Sequence, residues 1–155
     1  YAPEQKVDLG ATLTGFTRDE NGNETPVEVR WKRLQDADEP ALKPGPVVLA
    51  EQFDPNKKAM AYACTKIHSD RDREVVLYTG SDQCLVVWIN GERVLMKKLY
   101  RAAAPDQDRV RVRLRKGENT VLVKSACGWE GWSFYFRLGD EYGFPVTDGL
   151  RFGLD

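Results

Sequence analysis

Residues Gly80–Val94 read GSDQCLVVWINGERV, an alternating apolar strand bracketed by two turn signals. Side chains alternate along a strand, so Leu85, Val87 and Ile89 fall on one face and Val86 and Trp88 on the other. The Asn90-Gly91 pair that follows is a strong hairpin signal, because a type I′ turn needs positive φ at both central residues. The stretch therefore predicts two β-hairpins sharing a central strand, and the rest of the second half repeats the same grammar.

Working outward, strands are predicted at Val47–Gln52, Ala59–Ile67, Arg73–Thr79, Cys84–Asn90, Arg93–Lys98, Arg109–Arg115, Thr120–Ala126 and Trp132–Leu138. Turn formers separate them, among them Asp54-Pro55-Asn56, Ser81-Asp82 and Lys116-Gly117-Glu118-Asn119. Two earlier strands, Val7–Phe16 and Val27–Leu34, flank the turn at Asn21-Gly22-Asn23, and the Pro-rich stretch Glu39–Pro46 reads as a loop across one end of the fold. No segment has a persuasive helical period. The expectation is an all-β, antiparallel β-sandwich forming one domain over residues 1–155.

Composition narrows the function classes. A chain of 155 residues can bury a self-sufficient core, and a net charge of −1 gives no pull toward nucleic acid or an anionic membrane. No apolar run approaches the ~20 residues that span a bilayer. Tyr1-Ala2-Pro3 lacks the order of a signal peptide. Cys64, Cys84 and Cys127 contain no CxxC pair, which argues against a zinc ribbon and leaves open either one disulfide with a free thiol or three buried thiols.

Alternation assigns the faces. Val110, Val112 and Leu114 point one way and Arg109, Arg111, Arg113 and Arg115 the other; Trp132, Phe134, Phe136 and Leu138 make a core face. Trp88 is either covered or an exposed platform. If successive strands run antiparallel, their connections alternate between the two ends of the sandwich. One end then collects loops 53–58, 80–83, 99–108 and 127–131, which carry the residues suited to recognition.

The Gly80–Val94 stretch, the Tyr100–Asp108 loop, the turn and strand Lys116–Lys124 and the run Gly131–Phe136 together resemble a galactose-binding-like jelly roll of the kind attached to bacterial multidomain hydrolases. More distantly they are similar to the sugar-binding domain of family 2 glycoside hydrolases. The resemblance covers roughly Val47 to Asp140 and rests on the serine-aspartate turn, the tryptophan-x-asparagine-glycine hairpin and the lysine-glycine-x-asparagine turn. It departs from the family pattern at Gln83-Cys84, where aspartate and glycine commonly follow the serine-aspartate pair. It implies the fold more than the ligand, because the same sandwich serves binding, docking and spacing.

The candidate ligand-binding residues are Trp129, Arg101, Asp82, Glu130, Tyr100 and Asp106, all in the loop-end set. Trp129 would stack on the C–H face of a sugar. Arg101 and Asp82 would hydrogen-bond it, although Arg101 could equally brace the loop through Asp106 or Asp108. Asp54, Asn56, Asp82, Asp106 and Glu130 are oxygen donors suited to a structural calcium ion, or are ordinary turn residues. The arginine row from Arg109 to Arg115 suits an acidic polysaccharide or is a solvated face.

Catalysis has little support. His68 stands beside Ser69 and Asp70 in one turn, whereas a nucleophile and its base converge from separate segments, and no HExxH, GxSxG or P-loop pattern occurs. The chain is expected to be a non-catalytic carbohydrate-binding module, part of a larger secreted bacterial protein, that holds neighbouring domains near a polysaccharide. The alternative is a structural or protein-docking domain with no sugar ligand.

Overall fold

The computed structural model describes residues 1–34, 45–54, 56–129 and 131–153. Most of the expected Glu39–Pro46 loop lies outside them, as do Pro55 and Glu130. The contacts divide into two compact units, Tyr1–Leu42 and Lys43–Asp155.

The first unit holds a one-turn helix, α1 (Ala2–Gln5), and a hairpin of β1 (Thr12–Arg18) and β2 (Glu24–Arg30). Both strands lie nearer the turn than their apolar pattern suggested. Asp19 explains this: its carboxylate accepts the backbone N–H groups of Asn21 and Asn23 and the Asn23 side-chain amide, closing the turn tightly. Turn chemistry, not alternation, sets the register here.

The second unit is the sandwich. Its strands are β3 (Val47–Val48), β4 (Ala59–Ser69), β5 (Arg73–Ser81), β6 (Cys84–Ile89), β7 (Glu92–Lys98), β8 (Asp108–Leu114), β9 (Gly117–Cys127), β10 (Ser133–Gly139) and β11 (Leu150–Phe152). They form a four-stranded sheet, β3-β10-β5-β8, and a five-stranded sheet, β11-β4-β9-β6-β7. The antiparallel pairs are nested about the Asn90-Gly91 turn: β6 with β7, β5 with β8, β4 with β9 and β3 with β10. That turn has φ of 53° at Asn90 and 81° at Gly91, as the sequence required.

One core fills the space between the sheets. Val75, Leu77, Val112, Leu114, Phe134 and Leu138 enter it from the four-stranded sheet, and Ile67, Leu85, Val87, Ile89, Val121 and Val123 from the other. The period-two alternation of each strand produces this division directly. Trp132 is buried, as expected, and its indole N–H donates to Ser125 Oγ at 3.2 Å. The three cysteines are unpaired, Cys127 buried and the others partly so.

Two local expectations are corrected. The predicted strand Val47–Gln52 ends after Val48, because the backbone N–H groups of Leu49 and Ala50 both donate to the Trp132 carbonyl and wind a 3₁₀ turn over Leu49–Glu51. The strand β11 has no alternation to announce it; it adds to the edge of β4 by pairing Leu150 with Ser69 and Phe152 with Ile67.

Candidate functional site

Hydrogen bonds at the loop end run between the very loops that strand alternation assigns to it. Asp82 joins three of them. Its Oδ1 accepts the Ala103 N–H at 3.0 Å, and its Oδ2 accepts the Ser133 N–H and hydroxyl, each at 2.7 Å. The Asp82 carbonyl accepts the Arg101 N–H at 3.0 Å. Gln83 strengthens the tie to the last of these: its Oε1 accepts the Gly128 N–H at 2.7 Å. Lys58 N–H donates to the Gly128 carbonyl, and the Asn56 side chain donates to Ala50. Four separate connections thus become one platform.

Arg101 takes the bracing role. Its guanidinium pairs with Asp108 and its Nε donates to the Ser81 carbonyl at 3.3 Å, while Lys97 reaches the other Asp108 oxygen at 3.1 Å. Burial pushes the Asp108 carboxyl upward, but hydrogen bonds from Arg101 and Lys97, reinforced by their charges, outweigh it and hold the group below the usual carboxylate range. Asp108 is only 7% exposed at its side chain, and sequence reading valued it solely as a possible partner of Arg101. Its signal was its place at the start of β8, where its side chain points inward.

Asp106 is likewise engaged. It sits at φ 58° and receives a two-pronged contact from Arg137, Nε to Oδ1 at 2.8 Å and Nη2 to Oδ2 at 2.6 Å. Glu130 lies outside the described residues. Among the described residues no group of three or more His, Cys, Asp or Glu side chains gathers as a metal site.

Two of the candidates face solvent. Tyr100 is 81% exposed and Trp129 is 61% exposed. The Lys58 ammonium rests 3.9 Å from the centroid of the Trp129 ring, a cation–π contact worth about 0.5–1 kcal/mol at an exposed site. Lys58 itself has φ 49°, a left-handed conformation that a lysine seldom adopts. Phe53, in the same connection as Lys58, packs on Trp132 with centroids 5.5 Å apart. Trp88, on the outer face of the five-stranded sheet, is partly buried.

Comparison with protein-family models, curated proteins and solved structures finds no match for the chain.

Proposed function

We propose that the chain is a jelly-roll carbohydrate-binding module without catalytic function, and that Trp129 is its sugar platform. The nested strand pairs support the jelly-roll reading, since an eight-stranded antiparallel ribbon folded over on itself yields the orders β3-β10-β5-β8 and β4-β9-β6-β7. The observation that carries the sugar reading is the exposed Trp129 indole, oriented on one side by Lys58 and mounted on loops cross-linked through Asp82 and Gln83. A rigid, exposed aromatic face matches the C–H face of a pyranose and needs little ordering on binding. Tyr100 offers a second ring on the loop that Asp82 ties to the same end. Asp82, Arg101 and Asp106 serve the site by bracing it. In a larger secreted protein, such a module would raise the concentration of neighbouring domains at a polysaccharide surface.

The test is a glycan array with an insoluble-polysaccharide pull-down, run on the unmodified chain and on Trp129→Ala and Tyr100→Ala, with thermal melts to verify folding. Binding that Trp129→Ala abolishes while the melt is unchanged supports the reading. No glycan binding by the unmodified chain sinks it and transfers the assignment to a structural or docking domain.

A further inference from the structure

The outer face of the four-stranded sheet carries a second set of features, apart from the Trp129 and Tyr100 rings of the loop end. β8 sends Arg109, Arg111 and Arg113 into solvent, opposite Tyr78, Val76 and Glu74 of β5. Arg111 pairs with Glu74 at 3.3 Å and with Glu141 at 3.2 Å, but both acids are exposed and such pairs contribute little. Arg109 and Arg113 have no ion-pair partner among the described residues. Two cations outside any such pair thus stand on one face, about 13 Å apart at four strand residues' separation.

The loop after β10 stands beside this row, as the Arg111–Glu141 pair shows, and presents two aromatic rings, Tyr142 at 79% and Phe144 at 69% exposure. These rings do not hold the loop in place. Asp140 does: its Oδ1 accepts the N–H groups of both Tyr142 and Phe144 at 2.9 Å, and its own N–H donates to the Phe144 carbonyl at 2.9 Å. The Tyr78 hydroxyl donates to the Asp140 carbonyl at 2.8 Å, and Arg137, stacked 4.1 Å over the Tyr78 ring, donates to the Gly143 carbonyl. Five polar contacts fix a turn whose large apolar side chains contribute nothing to the core. Rigid exposed rings cost solvation and are suited to a partner that supplies an apolar face.

We propose that this face, comprising Arg109, Arg111, Arg113, Tyr142 and Phe144, binds an acidic polysaccharide independently of Trp129. Carboxylate or sulfate groups of the chain would meet Arg109 and Arg113, and sugar C–H faces would meet the two rings. The interleaved acids Glu74 and Glu141 keep the local field modest, which disfavours nucleic acid as the occupant because its affinity rests on an extended basic surface. An acidic protein segment would use the arginines but has no comparable need for two open rings.

Affinity electrophoresis against polygalacturonate and dextran sulfate tests this, with the neutral dextran as blank, across a salt series. The unmodified chain is expected to be retarded by an acidic polymer and not by dextran. Arg109→Gln/Arg113→Gln and Tyr142→Ala/Phe144→Ala should each weaken retardation roughly tenfold with unchanged melts, since charged hydrogen bonds and ring contacts are of that order. Trp129→Ala should leave it intact, so the outcome is separable from that of the loop-end site. Absence of retardation by both acidic polymers overturns the proposal, as does retardation that Trp129→Ala abolishes or that the arginine pair does not affect. Undiminished retardation in Tyr142→Ala/Phe144→Ala, with equal competition by polyglutamate, would reassign the face to acidic protein and also overturn it.

Discussion

Asn90 donates from Nδ2 to Oδ1 of Asn119 at 2.8 Å, joining the asparagine of the tryptophan-x-asparagine-glycine hairpin to that of the lysine-glycine-x-asparagine turn. Asn119 is fully buried, and its amide also donates to the carbonyls of Ile67, Arg115 and Gly117, while Oδ1 accepts the Arg115 N–H. Asn90 returns a bond by accepting the Thr120 N–H at Oδ1. Two sequence motifs that look independent are therefore one hydrogen-bonded unit closing the end of the sandwich opposite Trp129.

Replacing Asn119 with Ala strands several buried backbone groups at once, each costing about 1–3 kcal/mol when unpaired. The expected loss is about 3 kcal/mol in urea unfolding. Asn90→Gly keeps the left-handed turn and loses only the side-chain bonds, so it should cost about 1 kcal/mol. Equal losses for the two variants would show that the Asn119 backbone bonds are not what matters.

Gly80 lies on the outward face of β5 beneath the 99–108 loop, and a Cβ there would overlap the carbonyl oxygen of Ala104. A backbone atom cannot swing aside as a side chain can. Gly80→Ala should therefore lower stability by about 1–3 kcal/mol. Thermal melting should register this as a fall of several degrees, at about 2–4 °C per kcal/mol for a chain of this size. A melt within a degree of the unmodified protein would refute the close approach.

What the sequence made legible was local. Period-two alternation located the strands from β4 to β10 and sorted core from solvent, because each face obeys its own neighbours, as Arg109 to Leu114 illustrates. Antiparallel alternation then sorted the loops by end without any knowledge of side-chain contacts. Partners far apart in the chain were illegible: nothing near Asp82 announces Ser133, and nothing near Arg137 announces Asp106. That is why Asp82, Arg101 and Asp106 were read as ligand contacts without sight of the protein partners the fold gives them, whereas the exposure of Trp129 and Tyr100 depends on no distant partner.

The Asp108 carboxyl, held below its ordinary range in the folded protein, binds fewer protons there than in the unfolded chain. Its contribution is fully present above the unfolded value of about 3.9 and is lost as pH falls through the lower folded value. Asp108→Asn leaves Lys97 and Arg101 without their counter-charge and should cost about 2 kcal/mol at neutral pH. Urea midpoints should then converge between variant and unmodified protein as the pH is lowered below about 3.9. A gap that stays constant down to the acid limit would exclude Asp108 as the titrating brace.

Asp82 and Trp129 are expected to fail in opposite ways. Asp82→Ala removes the acceptor for the N–H groups of Ala103 and Ser133 and for the Ser133 hydroxyl, uncoupling the 99–108 loop from the start of β10. Stability should fall by about 2–3 kcal/mol, because charged acceptors of backbone N–H groups are worth more than neutral ones. Trp129→Ala removes a ring that is 61% exposed and lies under the Lys58 ammonium, so its cost should stay within about 1 kcal/mol. Hydrogen exchange adds spatial detail: the Ala103 and Ser133 amides should lose protection in Asp82→Ala and retain it in Trp129→Ala. If Asp82→Ala instead melts normally with those amides still protected, the carboxylate is free to serve a ligand, and its bracing role is wrong.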